Sequence, residues 1–214
     1  MIQTKDEKEK IEQDRRQVPL ITCAILAGGL GRRMGKDKAT LDFGDGSLIE
    51  GIYHRARTVF DKIIIVSSHH RFIQGVDASV VCDVLPVKGS MVGIVSALMH
   101  AETPYVFVLP CDMPFVSEES MSAVIEAWAG EDIVIPKTNA GFEPLHALYG
   151  RSCISYMLNF VQQGRLKIRD LFPYVTVKIV ENHPAFFAGD RLAFLNVNTE
   201  LELKKAAEMR RQSE

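Results

Sequence analysis

Gly28, Gly29 and Gly31 stand within four positions of one another, and Arg32, Arg33, Lys36 and Lys38 crowd the residues around and after them. Glycines let a backbone turn tightly and approach a ligand with no Cβ in the way. A turn that exposes N–H groups beside concentrated positive charge suits a polyphosphate. The better-known phosphate loops do not fit. A Walker loop needs Gly, four residues, then Gly-Lys-Ser/Thr. Counting back from Gly35-Lys36 finds Leu30 at the first glycine, and Asp37 takes the hydroxyl position. The dinucleotide fingerprint G-x-G-x-x-G fails too, because Gly29-Leu30-Gly31 runs on through Arg32 and Arg33 to Met34.

The second chemical group is a carboxylate. Tyr105-Val106-Phe107-Val108-Leu109 reads as a buried strand leading to Asp112, which lies between Pro110 and Pro114. Prolines there stop regular geometry and stiffen the segment. Mg²⁺ takes a few carboxylate oxygens and fills its octahedron with phosphate oxygens and waters, which makes Asp112 the candidate metal ligand. In nucleotidyl transfer to a phosphate monoester the attacking group is already anionic and needs no general base. Positioning and charge neutralisation by Arg33 and Lys38 then carry the reaction. Asp83 closes a shorter strand, and Asn196 and Asn198 belong to a strand end expected over Phe194–Thr199. His69-His70 are adjacent on a loop, where a structural or solvated role is expected rather than chelation.

The elements that must position these groups alternate. Strands are expected at 20–25, 62–66, 79–83, 105–109, 132–136 and 143–149, with a half-buried edge strand at 175–180. Helices are expected after Ser47, at 94–99, from Ser117 through Trp128, at 151–163 and 166–172, and from Thr199 to about Arg211. Such alternation predicts an α/β, three-layer, Rossmann-like mostly parallel sheet with helices on both faces. Ligands in these sheets sit at the carboxyl ends of the strands. The glycine-basic loop, Asp83, Asp112 and the two asparagines all fall there. Residues 1–18 are a mixed-charge tail, and 19–214 form one domain.

Composition narrows the function classes. The chain has 214 residues, 47% of them hydrophobic and 24% charged, with a net charge of −2. That balance argues against a nucleic-acid binder working through overall positive charge. No apolar run approaches the ~18 residues of a membrane span, and no apolar stretch follows the charged N-terminus. Cys23, Cys82, Cys111 and Cys153 lie far apart with no C-x-x-C pair. Buried reduced thiols in the cytoplasm fit this spacing better than a zinc site.

Leu26-Ala27-Gly28-Gly29, Arg33-Met34-Gly35 and Asp37-Lys38 resemble the L-A-G-G-x-x-x-R-M-G and D-K signature of the molybdenum cofactor guanylyltransferases, nucleotidyltransferases of the GT-A-like type. The resemblance runs from about residue 20 to 200. It implies nucleotide recognition by the main chain of Leu26, Ala27 and Gly28, and a phosphate contact by Lys38. It assigns Asp83 to the nucleotide and Asp112, in Cys111-Asp112-Met113-Pro114, to Mg²⁺. The run from Asp83 to Gly93 matches the family's D-x-x-P-x-x-G-P-L-x-G pattern, with Ser90-Met91 in place of Pro-Leu. Asn196-Val197-Asn198-Thr199 matches N-V-N-T, with Glu200 where proline is common, and either asparagine is a candidate second metal ligand. Ser67 stands where relatives often carry an amide. The implied reaction moves GMP from GTP to molybdopterin bearing molybdenum and releases pyrophosphate. GTP and molybdopterin are then the partners, with transient contact to cofactor-biosynthesis proteins or molybdoenzymes, and with neither nucleic acid nor membrane. Gly28 leans toward guanine, since relatives using CTP tend to have alanine there. The rival readings are a molybdopterin cytidylyltransferase, a sugar-phosphate or isoprenoid-pathway nucleotidyltransferase, and a non-catalytic nucleotide binder.

Overall fold

The structure, a computed structural model, describes residues 18–27, 46–67, 73, 75–188, 191–197, 199 and five positions between 201 and 208. Residues 1–17 of the expected tail, His69-His70, Asn198 and most of the glycine-basic loop, including Gly28, Arg33 and Lys38, lie outside the described residues.

Among the described residues one sheet has eight strands. They are β1 (Ile21–Leu26), β2 (Lys62–Ser67), β3 (Ser79–Cys82), β4 (Tyr105–Pro110), β5 (Ile133–Thr138), β6 (Gly141–Phe142), β7 (Ala147–Gly150) and β8 (Val177–Glu181). β3, β2, β1 and β4 lie side by side and parallel. β7 pairs antiparallel with both β4 and β5, and β8 pairs parallel with β5. A two-stranded ribbon, β9 (Phe187–Ala188) with β10 (Arg191–Leu192), stands apart.

The apolar runs form strands because both of their faces are covered. Cys23, Ile25, Ile63, Ile65, Phe107 and Leu109 face one core with helices α1 (Leu48–Arg57) and α3 (Glu118–Glu126). Ala24, Val66, Val106 and Val108 face the other, with α2 (Ser90–His100) and α4 (Ile154–Gln162). Side chains of period two thus serve two cores, and three layers result. The expected caps are present. Ser47 and Glu50 form a capping box on α1, and Ser117 with Ser120 forms another on α3. At the far end of β5, Asp132 accepts hydrogen bonds from Ser152 Oγ, the Thr176 amide (2.8 Å) and Thr176 Oγ1 (2.7 Å), which fixes β8 as the edge strand.

Three expectations need correction. The strand expected over 143–149 is β7 alone, antiparallel, and residues 143–146 leave the sheet. The polar segment expected as a strand over 194–199 is irregular at its described positions. The second helical stretch, expected at 166–172, is a 3-10 segment over Ile168–Tyr174 that contains Pro173, which cannot donate an i→i−4 bond.

Phe107 is fully buried, with ring centroids 5.2 Å from Phe60 and 5.2 Å from His146. Phe107→Ala should destabilise the fold by about 3–5 kcal/mol in urea unfolding. A loss under about 1 kcal/mol would contradict this place in the core.

Candidate active site

The parallel pairing of β1 with β2 and β4 builds the centre of the site. Leu26 is in register with Val66 on one side and Pro110 on the other. The ladder continues past the strand ends: the Ala27 amide donates to the Val66 carbonyl (2.8 Å), and the Cys111 amide to the Leu26 carbonyl (3.1 Å). The chain therefore leaves β1 for the glycine-basic loop between the end of β2, where Ser67 is buried, and the start of Cys111-Asp112. Asp112 is half-buried. Its carbonyl accepts the Val197 amide at 2.8 Å, which brings Asn196 and Val197 to the metal candidate. Leu26, Ala27, Ser67, Asp112 and Val197 thus meet at one edge.

Asp83 sits just beyond β3, at the same edge but two strands from β1. Burial raises its pKa, against the opposing pull of the Ser96 hydroxyl and Lys88. The run that follows enters α2, whose N-terminus carries neither a side-chain cap nor an acidic first turn. Gly93, which ends the run, has a packing reason. A Cβ there would lie 3.0 Å from Leu26 Cδ1, so a larger residue would make the Leu26 side chain at the end of β1 shift by a few tenths of an ångström.

The sequence reading missed the far flank. Lys137 pairs with Phe142 of β6 and with Glu181 of β8, while Ile133 pairs with Tyr149 of β7 and Val177 of β8. β6 and β7 therefore run along the same side of β5, and residues 143–146 are an excursion between them. Pro136 faces that break. Having no N–H, it can only accept, and its carbonyl takes the Glu143 amide at 3.0 Å. The His146 amide then closes a turn onto the Glu143 carbonyl (3.1 Å), with Pro144 at its second position, as such turns prefer. Tyr149, fully buried, donates its hydroxyl to the Pro144 carbonyl at 2.8 Å. Ala147 is in register with Val108, so this fastened turn stands beside the end of β4 and hence beside Asp112.

Two ionisable groups on the turn are perturbed. Burial pushes the Glu143 carboxyl up to about 7. Its side chain has no hydrogen bond or ion pair among the described residues, and nearby Lys137 is engaged by Glu181 at 2.7 Å. His146 is fully buried between Phe107 and Phe194, whose centroid is 4.9 Å away. Burial lowers its pKa to about 4, with the Ser120 main chain opposing the shift, yet neither ring nitrogen reaches hydrogen-bond geometry with a described residue. Neutral His146 wedges the turn against Phe194, three residues before Val197. The only hint in the sequence was a histidine inside an apolar run.

Among the described residues no three His, Cys, Asp or Glu side chains cluster as a metal cage, and none of the four cysteines is in a disulfide. Cys23, Cys111 and Cys153 are buried, as expected of structural thiols, and burial pushes Cys153 up to about 12. No helix among them is long and apolar enough to cross a membrane. A cavity of about 430 Å³, lined by Leu20, Phe60 and Ile125 among others, opens at the opposite edge, away from these strand ends.

A model of the MobA-like NTP transferase domain matches residues 23–177. The chain belongs to this family. It is 32% identical over 189 residues to the molybdenum cofactor guanylyltransferase of Desulfosudis oleivorans, covering 87% of this chain and 94% of that protein. It is 33% identical to the probable molybdenum cofactor guanylyltransferase of Pelotomaculum thermopropionicum, over 88% and 92% of the two. Among solved structures it superimposes on molybdopterin-guanine dinucleotide biosynthesis protein A from Archaeoglobus fulgidus with a TM-score of 0.76 and 28% identity, over 89% of this chain and 99% of that one. The family membership makes the chain a nucleotidyltransferase. Ligands of such sheets sit at the carboxyl ends of the strands, the edge that gathers Leu26, Ala27 and Asp112.

His146 carries a stability prediction. Its folded pKa, about 4, lies below its ordinary value of 6.5. The unfolded chain binds the proton more readily, so stability present above pH 6.5 is lost as pH falls toward 4. The loss should reach about 3 kcal/mol at pH 4. Urea unfolding of His146→Leu against the parent should show that this part of the pH dependence disappears. An unchanged slope would contradict the neutral, unpartnered imidazole.

Proposed function

We propose that this chain transfers GMP from GTP to molybdopterin carrying molybdenum, forming the guanine dinucleotide cofactor and releasing pyrophosphate, as a cytoplasmic enzyme. The observation that carries the reading is the meeting of Leu26-Ala27 with Asp112 across the β1–β4 pair, at the root of the glycine-basic loop. The names of the two relatives above support guanine as the base.

Each residue has a role that its position allows. The main chain of Leu26, Ala27 and Gly28 recognises the nucleotide, and since the Ala27 amide is already held by the Val66 carbonyl at 2.8 Å, other main-chain groups of that segment make the contact. Arg33 and Lys38, from the same loop, take up charge on the triphosphate as pyrophosphate departs. Asp83 and Ser67, ending β3 and β2, lie on the nucleotide's flank. The acceptor phosphate is already anionic, so the protein holds two phosphates in line and neutralises them, with no proton to remove. Mg²⁺ suits this donor set: a single half-buried carboxylate at a strand end, with phosphate oxygens and waters to complete the shell, is its usual arrangement. Asp112 would hold it, with Asn196 or Asn198 as second ligand. When bound, the ion neutralises charge on the phosphate oxygens. Delivery of the product implies transient contact with other cofactor-biosynthesis proteins or with molybdoenzymes.

Asp112→Ala should lower Mg²⁺-dependent pyrophosphate release by about 10²-fold or more, with unfolding in urea little changed. Pyrophosphate release at the parent's rate in that variant would remove Asp112 from the reaction.

A further inference from the structure

Glu143 is not used by the mechanism above, and the structure invests heavily in holding it. Its amide is bonded to Pro136, its carbonyl caps the turn, and the next residue is fastened by the buried Tyr149 hydroxyl. These bonds fix the backbone and leave the carboxylate without a partner among the described residues. The turn is buttressed from behind by His146 between two phenylalanine rings. On its outer flank, Phe142 packs edge-on against Phe172 at 5.2 Å. A half-buried carboxylate with no partner costs stability wherever the turn forms. A rigid mount that displays one at a catalytic edge is a recognition device for N–H donors.

Its position says which substrate it faces. Ala27, Ser67 and Asp83 stand at the ends of β1, β2 and β3, the flank on which the nucleotide is held in the reading above. Glu143 lies on the other side of β4, in the excursion that leads into β7, which leaves the nucleotide flank free. That flank remains for the acceptor. A pterin carries a 2-amino-4-oxo pyrimidine edge with two adjacent N–H donors, N3–H and the 2-amino group, the complement of one carboxylate. We propose that Glu143 is the residue that recognises the pterin of the acceptor, accepting both donors with its two carboxylate oxygens. This rests on the guanylyl-transfer reading. Guanine offers the same pair of donors, so the test must separate the two sources.

Binding is measured by fluorescence on the full chain with GTP and Mg²⁺, using 6-hydroxymethylpterin and its lumazine analogue, in which a 2-oxo group replaces the 2-amino group. Binding of GTP, and of CTP, UTP and ATP for comparison, is measured alone by calorimetry. The parent should prefer the pterin over the lumazine by about tenfold or more, since a charge-assisted pair is lost in the latter. Glu143→Gln sets an amide donor against one N–H and should erase that preference. It should also raise the KM for molybdopterin about tenfold with the KM for GTP unmoved. Glu143→Asp should restore part of the preference. If Glu143→Gln keeps the parent's pterin affinity and preference, the proposal falls. If it weakens GTP instead, the carboxylate reads guanine and the pterin assignment falls. A parent that binds GTP but shows no preference for the pterin overturns this proposal alone. A parent that favours another nucleotide overturns the guanylyl reading on which it rests.

Discussion

The site depends on one pairing, the parallel ladder between β1 and β4. It aligns Leu26 with Pro110, and the Cys111 amide extends it by one more bond, to the Leu26 carbonyl at 3.1 Å. The glycine-basic loop proposed to hold the triphosphate and the carboxylate proposed to face it are separated by more than 70 positions in the chain. Only adjacent parallel strands bring both to one sheet edge without a further element. Pro110, Pro114 and the bond from the Val197 amide to the Asp112 carbonyl then deny the carboxylate-bearing segment its freedom. Positioning catalysis needs this rigidity, because misplacement by an ångström can cost orders of magnitude in rate.

The antiparallel half of the sheet has a different task. β7 runs against β4 and so begins, rather than ends, at the catalytic edge. A short excursion at that beginning costs the sheet little, because Pro136 already lacks the donor that would have continued the ladder. The outcome is a turn whose main chain is bonded and whose acid is left open. Stability is spent there in the manner of a functional site. A fully buried imidazole and a half-buried carboxylate, each without a partner among the described residues, lie within four residues.

Much of this was legible in the residues. Apolar runs such as Lys62–Val66 and Tyr105–Leu109 have the length and branching of strands buried on both faces, and Ser47 and Ser117 announce their helices through their own side chains. Asp112 stood out because prolines surround it. The direction of β7 was not legible, since antiparallel pairing with β4 is a choice made across some 40 residues of chain. The 143–146 excursion was hidden for a related reason. Pro136 acts on a partner strand, and His146 reads as core because its neighbours, Ala147 and Leu148, are core. The segment at 194–199 looked like a strand by composition. Phe194 and Val197 are buried at irregular positions, where Val197 bonds to Asp112 rather than to a ladder.

Base selectivity is the most direct measure of what this edge does. Calorimetric titration of the purified chain with GTP, CTP, UTP and ATP in Mg²⁺ should find GTP bound about tenfold or more tightly than the other three, a difference of roughly 1.4 kcal/mol or greater. A preference for CTP, UTP or ATP would leave the loop and the carboxylate as nucleotidyltransferase machinery and would contradict guanylyl transfer.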